Sequence, residues 1–100
     1  MEEKEETIGR SPEEDVMREY LTNVTIATPK QTYYRVYLVK QQDKDRAEEK
    51  VRSYIGRHFS SVSDVWFDDI KLIRNDSRGR SFINTRSGKH YISKEEARRI

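Results

Sequence analysis

Apolar residues recur at every third or fourth position over residues 43–57, which is the spacing of one face of an α-helix. The apolar stripe continues one turn further and consists of Ala47, Val51, Tyr54, Ile55 and Phe59. Charged side chains fill the opposite face. The pattern therefore predicts a central amphipathic helix that covers one face of a sheet.

Alternating, β-branched segments predict strands before this helix. Residues 23–28 and 32–39 form two such segments, joined by a turn that contains Pro29. The second segment carries large residues on both faces, so we expect it to be a central strand. Its tyrosines, Tyr33, Tyr34 and Tyr37, could stack on single-stranded bases, but packing against a second layer or a dimer interface is the preferred interpretation.

Residues 65–74 predict a further strand in which the apolar positions change parity. Val65 and Phe67 are odd-numbered, whereas Ile70 and Leu72 are even-numbered. An extra residue at 68–69, a β-bulge, would place all four on one face. The alternative is that one element ends there and another begins. Trp66 is expected in the core or in an interface.

Capping signals predict a short helix at each end of the chain. Ser11-Pro12-Glu13-Glu14 and the apolar spacing after it predict a helix over about 12–21. Ser93-Lys94-Glu95-Glu96 predicts a second one that runs to Ile100. Residues 1–10 have almost nothing to bury and are expected to form a disordered acidic tail ahead of a single domain, residues 11–100.

The predicted fold is therefore α+β, in the order α-β-β-α-β-β-β-α, with an antiparallel sheet packed on one face by the central helix. Its last two strands form a hairpin with Ser87-Gly88 as the loop. In that register Arg86 lies opposite Lys89. One face of the hairpin then carries Phe82, Asn84, Arg86, Lys89 and Tyr91, and we expect this face to be exposed.

Charge is sorted along the chain, which changes the functional interpretation. Residues 1–20 hold eight acids and three bases, whereas residues 71–100 hold nine bases and three acids. The formal net charge of only +2 hides this asymmetry. Clustered Lys and Arg are typical of a surface that binds a polyanion.

The sequence thus favours a small non-enzymatic nucleic-acid-binding protein, with DNA ahead of RNA as the ligand. Arg78, Arg80, Arg86 and Lys89 are expected to converge as one solvent-facing cationic ridge. The complete set of candidate nucleic-acid-binding residues is Arg74, Arg78, Arg80, Asn84, Arg86, Lys89, Tyr91, Lys94 and Arg98. Phosphate contacts would come from the cations, and stacking would come from Tyr91.

Two other interpretations stay open. Lysines and arginines at a hairpin tip are common on solvated surfaces. Alternatively, the chain is a protein-interaction module, an accessory or inhibitory subunit that docks an acidic partner through the hairpin or the tyrosine-rich strand. A homodimer is compatible with either function, because it would cover a strand edge.

Other chemistry finds little support in the sequence. There is no cysteine, and the two histidines, His58 and His90, are isolated, so we expect no metal site and no cofactor. Asp69-Ile70-Lys71 resembles the carboxylate and lysine pair of metal-dependent nucleases, but such spacing arises often by chance. No apolar stretch has the length of a membrane span, and we expect a cytoplasmic protein without membrane contact.

Overall fold

The computed structural model describes residues 16–100, in which one helix and seven strands are found. The strands are β1 Arg18–Ala27, β2 Thr32–Gln41, β3 Asp64–Leu72, β4 Arg74–Asn75, β5 Ser81–Thr85, β6 Gly88–Tyr91 and β7 Arg98–Arg99. The helix, α1, spans Lys44–His58 and follows β2. The predicted α+β class is confirmed, whereas the predicted order of elements is wrong.

The strands form two sheets. The larger has the order β3-β1-β2-β7, with β1 antiparallel to both β2 and β3 and with β7 parallel to β2. The smaller has the order β4-β5-β6 and is antiparallel. β1 has a neighbouring strand on both sides over most of its length, so β1, and not β2 as expected, is the central strand. β7 pairs only with Tyr37 and Leu38 of β2.

The helix predicted over 12–21 is wrong for its described part, because Arg18–Leu21 belongs to β1. Residues 12–15, the capping box and the acidic tail lie outside the described residues. The apolar spacing that suggested a helix also fits a strand that is buried on both faces. Tyr20 packs in the core beneath α1, and Leu21 packs on the other side of the sheet. Ten residues of β1 pair with β2, and this ladder outweighs a weak local helical preference.

The central helix agrees closely with its prediction. The Asp43 side chain caps its start by accepting a hydrogen bond from the Arg46 amide at 2.8 Å. Ala47, Val51 and Ile55 are buried against the larger sheet. This contact forms the main core of the protein.

The change of parity in β3 is a β-bulge, as predicted. The pairing between β1 and β3 shifts between Asn23 and Val24, which leaves Asp68 without a partner in the ladder. The four apolar side chains before and after the bulge all pack on the helix side, namely Val65, Phe67, Ile70 and Leu72. The bulge turns Asp68 to the opposite face, where its carboxylate accepts a hydrogen bond from the Thr25 hydroxyl at 2.6 Å.

The helix predicted from Ser93 to Ile100 is also wrong. The Ser93 amide does donate to the Glu96 side chain at 3.2 Å, as a capping box requires. However, the chain makes only one turn before it joins β2 as β7. The other oxygen of Glu96 lies 2.7 Å from His90 Nε2, and the Ile100 amide donates to the Leu38 carbonyl at 3.0 Å. These contacts with the sheets replace the helical ones.

Candidate nucleic-acid interface

The hairpin of β5 and β6 has a different turn from the predicted one. Its loop is Arg86-Ser87, and the paired residues include Asn84 with Lys89 and Thr85 with Gly88. Gly88 pairs with Thr85 as the first residue of β6, and its φ of +118° is a conformation that L side chains rarely adopt. Arg86 therefore lies at the tip and not opposite Lys89.

The predicted sharing of faces nevertheless holds along the strands. Moving the turn by one residue exchanges partners but keeps alternate residues on the same side. Phe82 now pairs with Tyr91, and Asn84 pairs with Lys89. Exposure differs from the prediction for one ring, because Phe82 is 6% exposed whereas Tyr91 is 39% exposed.

Two cations lie over the two rings of this face. The Lys89 Nζ lies 4.6 Å from the centre of the Phe82 ring, and the Arg80 guanidinium carbon lies 4.5 Å from that of Tyr91. The two rings are themselves 5.7 Å apart. We call Arg80, Phe82, Lys89 and Tyr91 the cation–ring cluster. Such contacts stabilise a cation against an aromatic face without neutralising its charge.

Asp76 organises the turn that precedes β5. One carboxylate oxygen accepts hydrogen bonds from the Arg78 and Arg80 amides at 2.9 Å each. The other accepts from Arg80 Nε at 3.0 Å and from the Tyr91 hydroxyl at 3.1 Å. The Arg80 amide, followed by the Arg78 amide, Tyr91 and the Arg80 side chain, lowers the pKa of Asp76 to about 2. The carboxylate is thus fixed in its charged form.

The predicted cationic ridge is therefore reduced in charge. Arg78, Arg80, Arg86 and Lys89 are all exposed. Arg80 is paired with Asp76, whereas the other three form no ion pair with another residue in 16–100. Asp76 was not among the predicted site residues, although an aspartate just before a Ser-Arg-Gly turn is a typical signal for side-chain to backbone hydrogen bonds.

The remaining candidates lie around the cluster or away from it. Arg74 is exposed on β4, where it pairs with Phe82. Lys94 and Arg99 line a cavity of about 350 Å³ together with Arg80 and Tyr91, over an apolar floor that includes Leu38, Ile73 and Ile92. Arg99 forms an ion pair with Glu19, which also lines the cavity.

Arg98 is separated from the hairpin. It lies on β7 opposite Tyr37 of β2 and lines a groove at that edge of the larger sheet. Burial raises the pKa of Tyr37, with Tyr54 adding to the effect, while Arg98 acts in the opposite direction. The structure thus places Arg98 beside a tyrosine of the larger sheet and not beside the cation–ring cluster.

Comparison with protein-family models, curated proteins and solved structures gives no match for this chain. Among residues 16–100, no group of three or more His, Asp or Glu side chains could hold a metal ion. No helix in this part of the chain is long and apolar enough to cross a membrane. What the molecule offers is a small α+β domain with a basic hairpin.

Proposed function

We propose that this protein is a small non-enzymatic nucleic-acid-binding protein that grips phosphates through residues 74–91. The observation that supports this proposal is the charge of this segment, which holds five bases and one acid. The one acid is already bound to Arg80 and Tyr91, so it does not neutralise the remaining cations. Phosphate binding uses such exposed charges directly.

The four cations of this segment that form no ion pair within residues 16–100 differ in their setting. Arg86 projects at the tip of the hairpin, and Arg78 lies in the turn after Asp76, so both are accessible to a phosphate backbone. Lys89 is held over Phe82 and presents a more fixed charge beside them. Arg74 flanks these residues on β4.

DNA is the preferred ligand, because the major groove of B-form DNA admits a two-stranded β-ribbon. The corresponding groove of A-form RNA is deep and narrow. Tyr91 is 39% exposed, and its ring is oriented by the Asp76 carboxylate and covered on one side by Arg80. We propose that Tyr91 contacts sugar or base at the rim of the groove.

The test replaces two cations of the hairpin and compares the result with an equal loss of charge elsewhere. The test variant is Arg86→Ala with Lys89→Ala. The control is Lys30→Ala with Arg57→Ala, two exposed residues outside the hairpin, the first in the turn between β1 and β2 and the second in the last turn of α1. Binding to single- and double-stranded DNA and RNA is measured over a range of salt concentrations.

Each phosphate contact adds about 0.9 to the slope of log affinity against log salt, so two lost contacts weaken binding about 60-fold at about 0.1 M salt. The slope should fall by about 2 in the hairpin variant. The control should stay close to wild type, and both thermal midpoints should hardly change. Equal losses in both variants would show attraction by net charge alone. Unchanged binding in the hairpin variant would show that the hairpin is the wrong place.

The second candidate is an interaction module, an accessory or inhibitory subunit that docks an acidic protein partner on the same hairpin. It is supported by the cation–ring cluster, because cations held over rings also suit carboxylates of a folded partner. An absence of nucleic-acid binding at low salt, or polyanion binding that survives high salt, would favour it. A homodimer stays a prediction under either function.

The nuclease alternative gains no support from the geometry. Lys71 Nζ lies 3.6 Å from the Asp69 carboxylate, as expected for neighbours on one strand. The Asp68 carboxylate accepts a hydrogen bond from Thr25, and within residues 16–100 no third acid completes a metal-binding group with Asp68 and Asp69. We therefore propose no catalytic role for these residues.

A further inference from the structure

A second surface, distinct from the hairpin, carries two large aromatic side chains that are exposed to solvent. On the face of the larger sheet opposite α1, the cross-strand row Trp66–Thr25–Tyr34 joins β3, β1 and β2. Trp66 is 50% exposed and Tyr34 is 73% exposed. Exposed aromatic residues that lie together commonly mark a binding surface. We call this row and its flanking acids the open face.

The small sheet covers only one end of this side of the larger sheet. Ile83 packs there with Leu21 and with the partly buried Val36 and Leu38. The Trp66–Thr25–Tyr34 row lies further along the strands and is left uncovered by the described residues.

Acidic side chains flank the tryptophan on its own strand. Asp64 and Asp68 precede and follow Trp66 by two residues, so all three share one face. The Thr25 hydroxyl orients the Asp68 carboxylate at 2.6 Å. Neither acid forms an ion pair with another residue in the described range, whereas the nearby Asp69 is paired with Lys71. The open face is therefore negatively charged as well as aromatic.

We propose that the open face docks an extended protein segment that carries arginine or lysine side chains. Neighbouring strands lie about 4.8 Å apart, so the backbones of Trp66 and Tyr34 lie about 10 Å apart with the small Thr25 between them. The aliphatic stem of an arginine or lysine fits between two rings at this separation. Its charged head then reaches Asp68 and the face of Trp66.

A nucleic acid is disfavoured at this face on charge. Exposed rings on a sheet can stack bases, but they do so within a positively charged surface. Here the carboxylates of Asp64 and Asp68 would meet the phosphates. The inference is independent of the proposed function, because it involves no residue of segment 74–91.

Trp66 is the only tryptophan in the chain, so its fluorescence reports directly on the open face. The probe is a six-residue peptide of alternating arginine and valine. Matched peptides carry glutamine or glutamate in place of arginine, and a single-stranded DNA oligomer is the fourth ligand. The arginine peptide should change the Trp66 emission saturably and bind at least about tenfold more tightly than the glutamine peptide.

Variants locate the binding, because the acidic residues 1–20 also attract a basic peptide. Asp68→Asn keeps the acceptor for Thr25 and removes the charge, and it should weaken the fluorescence-detected binding about fivefold. Tyr34→Ala should weaken it similarly while the reporter is retained. Glu49→Gln removes the same charge from an exposed position on α1 and should have less than about a twofold effect.

Three outcomes would overturn the inference. They are equal binding of the arginine and glutamine peptides, an unchanged affinity in Asp68→Asn, and a saturable response of Trp66 to the DNA oligomer alone that Tyr34→Ala weakens. The last outcome would assign the open face to nucleic acid. Failure of the Arg86→Ala, Lys89→Ala test alone would leave the inference standing, since the two surfaces share no residue.

Discussion

Replacing Ile83 by alanine should release the hairpin from the larger sheet without unfolding the core beneath α1. Ile83 is 5% exposed and, among residues 16–100, joins two other buried residues, Leu21 and Ile73, in the cluster between the two sheets. In the same part of the chain the main core holds eight buried residues, among them Ile55 at 1% exposure. Ile83→Ala and Ile55→Ala therefore remove the same atoms from a small cluster and from a large one.

Truncation of a buried isoleucine to alanine costs about 2–5 kcal/mol, with the cost depending on how far the site can collapse. The three-residue cluster is partly surrounded by half-buried side chains that can relax, so we expect about 2–3 kcal/mol for Ile83→Ala. Ile55 lies in a rigid helix–sheet contact, and we expect about 4 kcal/mol for its truncation. The two variants should differ less in the size of the free-energy loss than in which backbone hydrogen bonds open.

Amide hydrogen exchange distinguishes the two cases. A loss of about 2 kcal/mol speeds exchange about 30-fold, and in Ile83→Ala this change should be confined to β4, β5 and β6. In Ile55→Ala the slowest amides of β1 and β2 should exchange faster, because global stability falls. If Ile83→Ala accelerates β1 and β2 as much as the hairpin, the small sheet is not an independently opening unit and the argument fails.

Two further predictions concern the turn and the hairpin. The lowered pKa of Asp76 means that its stabilising effect is complete above its ordinary pKa of 3.8 and is lost as the pH falls to about 2. Hairpin amides should lose protection over that range, and Asp76→Asn should remove the pH dependence; a wild-type profile in this variant would assign the acid effect to other groups. Gly88→Ala meets no neighbouring atom but places a side chain at φ +118°, so a loss of about 1–3 kcal/mol is expected in urea melts. A neutral effect would contradict the assigned turn.

Local patterns predicted the middle of this fold well. The helical stripe over 43–57 predicted α1 almost to the residue, and the structure adds Asp43 as its N-cap, so that periodicity and capping agree there. The parity change in β3 predicted either a bulge or the end of one element and the start of another, and the bulge is found, which keeps Val65 and Leu72 on one face.

The predictions for the two ends of the described fold were wrong, because local signals compete there with sheet pairing. The capping hydrogen bond between the Ser93 amide and the Glu96 side chain forms. The residues that follow nevertheless pair with β2, and no helix propagates. The helical spacing around Tyr20 is equally consistent with a strand buried on both faces, and a single sequence does not distinguish the two.

The candidate site likewise has features that the sequence predicted and features that it did not. The alternation of residues predicted which side chains share a face of the hairpin, but not the turn, which depends on the φ of Gly88. The cations at positions 78–89 are exposed as expected. Their partial neutralisation was missed, because Asp76 acts through the folded turn and through Tyr91, fifteen residues later in the chain.

The two proposed surfaces have opposite charge and lie on the same side of the larger sheet, because Ile83 packs on Leu21 and the open face continues along β1 to Thr25. Asp68 lies between the β1 partners Asn23 and Val24, so two to three strand residues, about 8 Å, separate it from the level of Leu21. This is slightly less than the Debye length of about 10 Å at 0.1 M salt, and repulsion of a polyanion from Asp68 is therefore only partly screened at that salt. A duplex bound at the hairpin, as proposed, would be kept from the open face by this repulsion as well as by contact chemistry, which would leave the open face to a partner of the opposite charge.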